Sequence, residues 1–190
     1  MTLDLTPITK PTLESAPAAD FADAMSALAS GVALVTCWLD GRPWGMTVTA
    51  FASVSADPPT ILVSLAATSA SVRAIGAARM LGVSILGEAQ LEAARHSSAP
   101  GAPKFLEPFI DLREAVGESP VIAGALAHLD CEVTERVEIA DHTVFFARVR
   151  EARTSLDGAP LVYFRRAYRT LARPTQAHPS IRGRVPCLSS

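Results

Sequence analysis

Between Ala125 and Ile139 the apolar residues Ala125, Ala127, Leu129, Cys131, Val133, Val137 and Ile139 alternate with His128, Asp130, Glu132, Thr134, Arg136 and Glu138, broken only at Glu135. A period of two over that length does not suit a helix and predicts a long, half-exposed strand. Ala140-Asp141-His142 turns the chain back into Thr143 to Arg153, a second stretch rich in Val and Phe. Strands joined by so short a turn pair antiparallel, because a parallel partner needs a crossover of roughly a dozen residues. Shorter runs extend the sheet. Val32 to Trp38 and Pro43 to Ser55 flank the turn pair Asp40-Gly41 and predict a hairpin, with Gly45 onward on a central strand. Ile61, Leu62 and Val63 run without alternation in Thr60 to Leu65, which predicts a strand buried on both faces. Met80 to Leu86, Leu161 to Phe164 and Tyr168 to Leu171 complete a set of about seven strands, which favours an antiparallel barrel.

Helices occupy the gaps. Asp20 is placed to cap a helix with Phe21, Met25, Leu28 and Ala29 on one face and Gly31 at its stop. Ser69 or Ser71 caps a helix carrying Val72 and Ile75, and Glu88 to His96 reads as a short structural helix with Leu91 and Ala94 inward. Leu106 to Ser119 lacks a period and predicts short helical turns over one barrel end. Pro7, Pro11 and Pro17 mark residues 1–19 as an arm, and Pro174, Pro179 and Pro186 mark residues 173–190 as a tail, leaving one domain over 20–172.

Composition narrows the function classes. With 49% hydrophobic residues in 190 the chain can bury a substantial core. A formal charge of -2, from 17 basic and 19 acidic residues, gives no electrostatic case for nucleic acid. Cys37, Cys131 and Cys187 are odd in number and far apart, suiting neither a disulfide framework nor a zinc site; reduced cytoplasmic thiols are expected. No apolar run reaches the roughly 18 residues of a membrane span, and the start of the chain does not read as a signal peptide. No Gly-x-Gly-x-x-Gly fingerprint is present, Gly82 to Gly87 has one residue too many for a nucleophile elbow, and His96, His128 and His178 fall on separate elements.

The stretch that carries chemistry is Gly45 to Pro59, Gly-Met-Thr-Val-Thr-Ala-Phe-Ala-Ser-Val-Ser-Ala-Asp-Pro-Pro. If extended, it places Thr47, Thr49, Ser53 and Ser55 on one face, where hydroxyls and backbone can meet a planar ligand rich in acceptors. Spacing alone also fits a Thr-rich strand facing water. Asp57-Pro58-Pro59 ends it.

These residues resemble the signature of the flavin reductase family, the small reductase components of two-component flavin-dependent monooxygenases. The resemblance spans roughly Phe21 to Leu171 and implies a split β-barrel in which this segment holds the isoalloxazine ring and ribityl chain of FAD or FMN. By position the implied contacts are Met46, Thr47, Val48, Thr49, Ala50 and Ser53, with Ser64 and Ala66 on the following strand. Family members often carry Asn or Ser where this chain has Thr49 and Ala50, so any hydrogen bond at position 50 must come from backbone. Ser69 and Ser71 match a pair that holds the flavin phosphate, although a serine at a helix start also serves simply as a cap. Lys104-Phe105 matches a Lys-Phe pair at the flavin; by itself a loop lysine is a solvated charge. His142 stands where family members carry Gly-Asp-His, with the imidazole toward flavin and nicotinamide, and Ala140 replaces the glycine; without the resemblance it is a polar turn residue. Tyr168 and Arg169 resemble the closing strand near the site. The function implied is reduction of FAD or FMN by NADH, with NADPH second, in a homodimer whose flavin sits near the subunit interface. The reduced flavin diffuses to a separate oxygenase. A split-barrel flavin carrier or sensor is the alternative, and a small-ligand barrel without redox chemistry a third.

Overall fold

The computed structural model describes residues 15–110, 118–155 and 157–171. Its helices are α1 (Ala18–Ser26), α2 (Ala70–Ala78) and α3 (Leu91–Ser98), with 3-10 turns at Glu88–Gln90 and Glu107–Phe109. Its strands are β1 (Ser30–Gly31), β2 (Ala33–Leu39), β3 (Arg42–Val48), β4 (Phe51–Ala56), β5 (Pro59–Ala66), β6 (Met80–Ile85), β7 (Ala127–Ile139), β8 (His142–Thr154), β9 (Leu161–Phe164) and β10 (Ala167–Thr170). Seven form one antiparallel sheet in the order β3-β2-β6-β7-β8-β5-β4, and β1-β9-β10 form a smaller one. The expected mainly β architecture is present as an open, split barrel.

The signature segment departs from its expected place. Gly45 to Pro59 does not lie on a central strand: its two halves are β3 and β4, the opposite edges of the large sheet. Thr49 and Ala50 break the extended run and carry the chain from one edge to the other, where Ala50 O accepts a hydrogen bond from Ser64 N of β5 at 2.9 Å. Edge position depends on pairings distant in sequence, which the segment's own residues do not encode. The outer side of β3 is covered by the 104–106 segment, through Gly45 N to Lys104 O at 3.1 Å and Leu106 N to Pro43 O at 2.9 Å. A Cβ at Gly45 would run into the methyl ends of Leu34 and Leu106, so any larger residue there would force these buried side chains to shift.

Burial follows from layering. β2 is covered on both faces: Ala33, Val35 and Cys37 enter the barrel core with Val63, Leu65, Ile75 and Phe145, while Leu34 joins Val32, Leu86, Ala94, Leu106 and Leu161 in a second core beneath α3 and the small sheet. β5, by contrast, buries Ile61, Val63 and Leu65 but leaves Leu62 and Ser64 half-exposed, so only one of its faces is fully packed. β7 shows the reverse error. His128 and Asp130, assigned to its wet face by alternation, are 3% and 2% exposed because Ser119, Pro120 and Ile122 cross over them. Farther along, the break foreseen at Glu135 is a register shift between Val133 and Glu135.

α1 departs from its expected bounds. It begins at Ala18, two residues inside the segment assigned to the arm, with Pro17 at the cap position and Asp20 in the first turn, where a negative charge favours the helix dipole. It ends at Ser26, and Gly31 belongs to β1. Phe21, Met25 and Leu28 remain 63%, 49% and 57% exposed. Two contacts fasten the helix to the β9–β10 turn: Arg165 N donates to Ser26 O at 2.9 Å, and Arg166 Nη2 donates to Asp23 Oδ1 at 2.5 Å. That turn holds Arg165 at φ 47° and Arg166 at φ 59°. The β2–β3 hairpin meets the same demand with Asp40 at φ 52° and Gly41 at φ 74°. For a residue with a Cβ the left-handed region costs about 1–2 kcal/mol. Residues 1–14 and 172–190, hence most of the arm and the tail with Cys187 and His178, lie outside the described residues, as do 111–117 of the barrel-end segment.

Candidate active site

The break at Thr49 and Ala50 interrupts the ladder pairing of the strands on either side. β3 pairs with β2 as far as Val48, β4 begins its pairing at Phe51, and neither the Thr49 nor the Ala50 amide has an acceptor among the described residues. Two cavities of about 370 and 380 Å³ open beside this break. The first is lined by Thr47, Val48, Thr49, Ser98, Tyr163, Arg166 and Tyr168, and the second shares Thr49, Tyr163 and Arg166 and adds Ala50 with Ala22, Met25 and Ser26 of α1. Exposed consecutive amides beside a largely aromatic and hydroxyl wall suit an electron-rich planar ring whose carbonyl oxygens need donors.

Side chains here are set by α3. Thr47 Oγ1 donates to Ala94 O at 2.7 Å, which commits the hydroxyl proton and leaves its lone pairs to accept from a ligand. Tyr168 OH lies 3.4 Å from Ala94 O and 3.3 Å from Ser98 Oγ, and its ring meets Tyr163 edge-on at 5.3 Å, as the β9–β10 register requires by pairing the two residues. The helix expected to be structural therefore also orients the cavity wall.

A second group lies across the Ala50–Ser64 link. Ser64 and Ala66 sit on β5 opposite Val144 and His142 of β8. Ser69 N donates to Ala66 O at 2.9 Å, and Ser69 Oγ accepts from Val72 N at 3.3 Å as the cap of α2. His142 is exposed and its Nδ1 donates to Asp141 Oδ1 at 2.8 Å, a bond that holds the Asp141 carboxyl below its usual range. Ser71 differs from its neighbour: it is fully buried and turned to the Cys37 thiol, whose pKa burial pushes up to about 11 against a smaller opposing effect of that hydroxyl. Ser69 is the member of the pair with access to a ligand.

The remaining expected contacts fall outside the cavities. Met46 is half-buried opposite Val35, and Ser53 is exposed on β4 opposite Ile61. Phe105 lies edge-on to Trp44 at 4.9 Å with the Arg42 guanidinium 3.6 Å above its ring. Lys104 Nζ donates to Ala99 O at 2.6 Å, and partial desolvation lowers its pKa. Arg169 is exposed beside a shallower depression with Glu88 and Leu91. Among the described residues no cluster of three His, Cys, Asp or Glu side chains could hold a metal ion, and no helix is long and apolar enough to cross a membrane.

Comparison with known proteins decides the family. Residues 25–172 match the flavin reductase like domain. The chain belongs to the flavin reductase family. It is 36% identical over 159 residues to the reductase component of a Rhodococcus opacus 4-nitrophenol 4-monooxygenase/4-nitrocatechol 2-monooxygenase, covering 84% of each chain. It is 38% identical to a Streptomyces pristinaespiralis NADH:riboflavin 5'-phosphate oxidoreductase, covering 85% of this chain and 90% of that one. Among solved structures, a Streptomyces globisporus NADH:FAD oxidoreductase in complex with NAD and FAD fragments aligns with a TM-score of 0.74 at 28% identity, over 83% of this chain and 94% of that one. In this flavin reductase the sequence had not pointed to Ser98, Tyr163 or Arg166. The signal for Tyr163 was present, since a two-residue Arg165-Arg166 turn sets it against Tyr168; Ser98 depends on where α3 docks.

Proposed function

We propose that the protein is an NADH:flavin oxidoreductase that reduces FAD or FMN and releases it to a separate oxygenase component. The observation that carries this reading is the pair of unsatisfied amides at Thr49 and Ala50, on the family's signature segment and beside the cavities. Hydride passes between nicotinamide and flavin, so the cofactors supply the bond chemistry. The chain's residues bind and orient. The Thr49 and Ala50 amides donate to ring oxygen that gains negative charge on reduction, as a preorganised donor pair would. Thr47 Oγ1, its proton held by Ala94 O, accepts from a ring or ribityl donor. Tyr168 and Tyr163 close one side of the cavity, while Ser69 at the start of α2 caps a phosphate. His142 orients the nicotinamide from the β8 side. Met46, Ser53, Ser64, Ala66, Lys104, Phe105 and Arg169 complete the proposed surroundings of the flavin. The exposed Met25 and Leu28, which line the second cavity, and the exposed Phe21 of α1 suit the homodimer with the flavin near its interface. The buried thiols of Cys37 and Cys131 suit a reducing cytoplasm.

The test is steady-state NADH oxidation with riboflavin, FMN and FAD in parallel, and with NADPH in place of NADH. Oxidation that requires added flavin and proceeds faster with NADH supports the reading. Flavin binding without such oxidation would instead indicate a carrier or sensor.

A further inference from the structure

Arg166 is the one charged side chain among the described residues lining the two cavities, and it lines both. Its φ of 59°, next to Arg165 at 47°, puts an arginine pair where a hairpin turn favours Asn-Gly or Asp-Gly. Strain retained at the lip of a ligand site points to a use for the strained side chain. Arg165 lies over the Phe164 ring at 5.3 Å, whereas Arg166 pairs, among the described residues, with one carboxylate, Asp23 of α1, which is itself 72% exposed. A pair that open to water holds weakly, so a ligand anion can displace the carboxylate at small cost. A guanidinium offers two parallel donors, the geometry that phosphate oxygens accept. Ser69, the phosphate candidate on α2, lines neither cavity.

Resting on the flavin reductase reading, we propose that Arg166 recognises the pyrophosphate of a dinucleotide, the group that FAD and NADH carry and that riboflavin and FMN lack. Asp23 holds the guanidinium in place until that ligand arrives. This makes Arg166 a specificity residue of the site, distinct from the contacts that hold the ring.

The experiment measures dissociation constants by flavin fluorescence for riboflavin, FMN and FAD, and by calorimetry for NAD+ added to the FMN-loaded protein, in wild type, Arg166→Gln and Arg166→Gly. Arg166→Gly removes the left-handed strain, so loss of folding does not obscure the result. In both variants FAD or NAD+ should bind roughly tenfold more weakly while riboflavin and FMN stay within about twofold, and the ligand that weakens identifies the source of the pyrophosphate. Unchanged affinity for both FAD and NAD+, or an equal loss for riboflavin, overturns the proposal. Wild-type protein that binds none of the flavins would overturn the reductase reading itself, and this inference with it.

Discussion

Acid should destabilise this protein through His128. Its two ring nitrogens meet Ser84 Oγ at 2.9 Å and Ser119 Oγ at 3.2 Å. Ser119 Oγ donates its proton to Asp130 Oδ1 at 2.5 Å, so it can only accept from Nε2–H; Nδ1 must then accept from the Ser84 hydroxyl, which itself accepts from Ile122 N at 3.2 Å. The neutral ring thus satisfies every group in a site with 3% exposure. Protonating Nδ1 would leave the Ser84 proton buried without an acceptor. Burial pushes the His128 pKa from 6.5 down to about 4, with Asp130 opposing and Arg153 reinforcing the change. Because the unfolded chain takes up the proton first, the stabilisation is complete above about pH 6.5 and is lost as pH falls toward about 4. That difference corresponds to on the order of 3 kcal/mol. Urea unfolding at pH 7.5, 6, 5 and 4.5 reads it, with His128→Gln as the control that keeps a donor and an acceptor but does not titrate. The wild type should lose stability steeply across this window and the variant much less. Equal losses in both would refute the argument and place the acid sensitivity in other groups.

Three further outcomes are expected. Ala140 sits at φ 52°, so Ala140→Gly should raise stability by roughly 0.5–1 kcal/mol in the same unfolding assay. Ser69→Ala should cost about 1 kcal/mol through the lost α2 cap and weaken FMN more than riboflavin in fluorescence titrations; equal weakening of both would remove Ser69 from the phosphate site. His142→Ala should slow anaerobic single-turnover flavin reduction roughly tenfold or more with flavin affinity nearly intact, whereas both quantities within about twofold of wild type would make it a turn residue only.

What the sequence disclosed was local. Asp40-Gly41 specified its hairpin because the turn needs positive φ at both positions, and Ser69 announced α2 because a serine hydroxyl can satisfy the first free amides of a helix. Alternation found β7 and even its fault at Glu135. It could not tell that Ser119 to Ile122 would fold back over His128 and Asp130, since a covered polar face and a wet one have the same period. Nor could it place Gly45 to Pro59 at the two edges of the sheet, where the gap at Thr49 and Ala50 becomes available to a ligand. Arg166 was hidden for a different reason: its meaning lies in a turn conformation and in the docking of α1, neither visible in the letters themselves.

An anaerobic turnover count separates catalytic flavin reduction from reduction of a single bound flavin. Protein is mixed with NADH and a large molar excess of FAD or FMN, and reduced flavin is counted per chain. Each chain should reduce many flavins, continuing until NADH or oxidised flavin is exhausted. Reduction that stops at one flavin per chain would contradict the reductase reading and leave a flavin-binding barrel without free turnover.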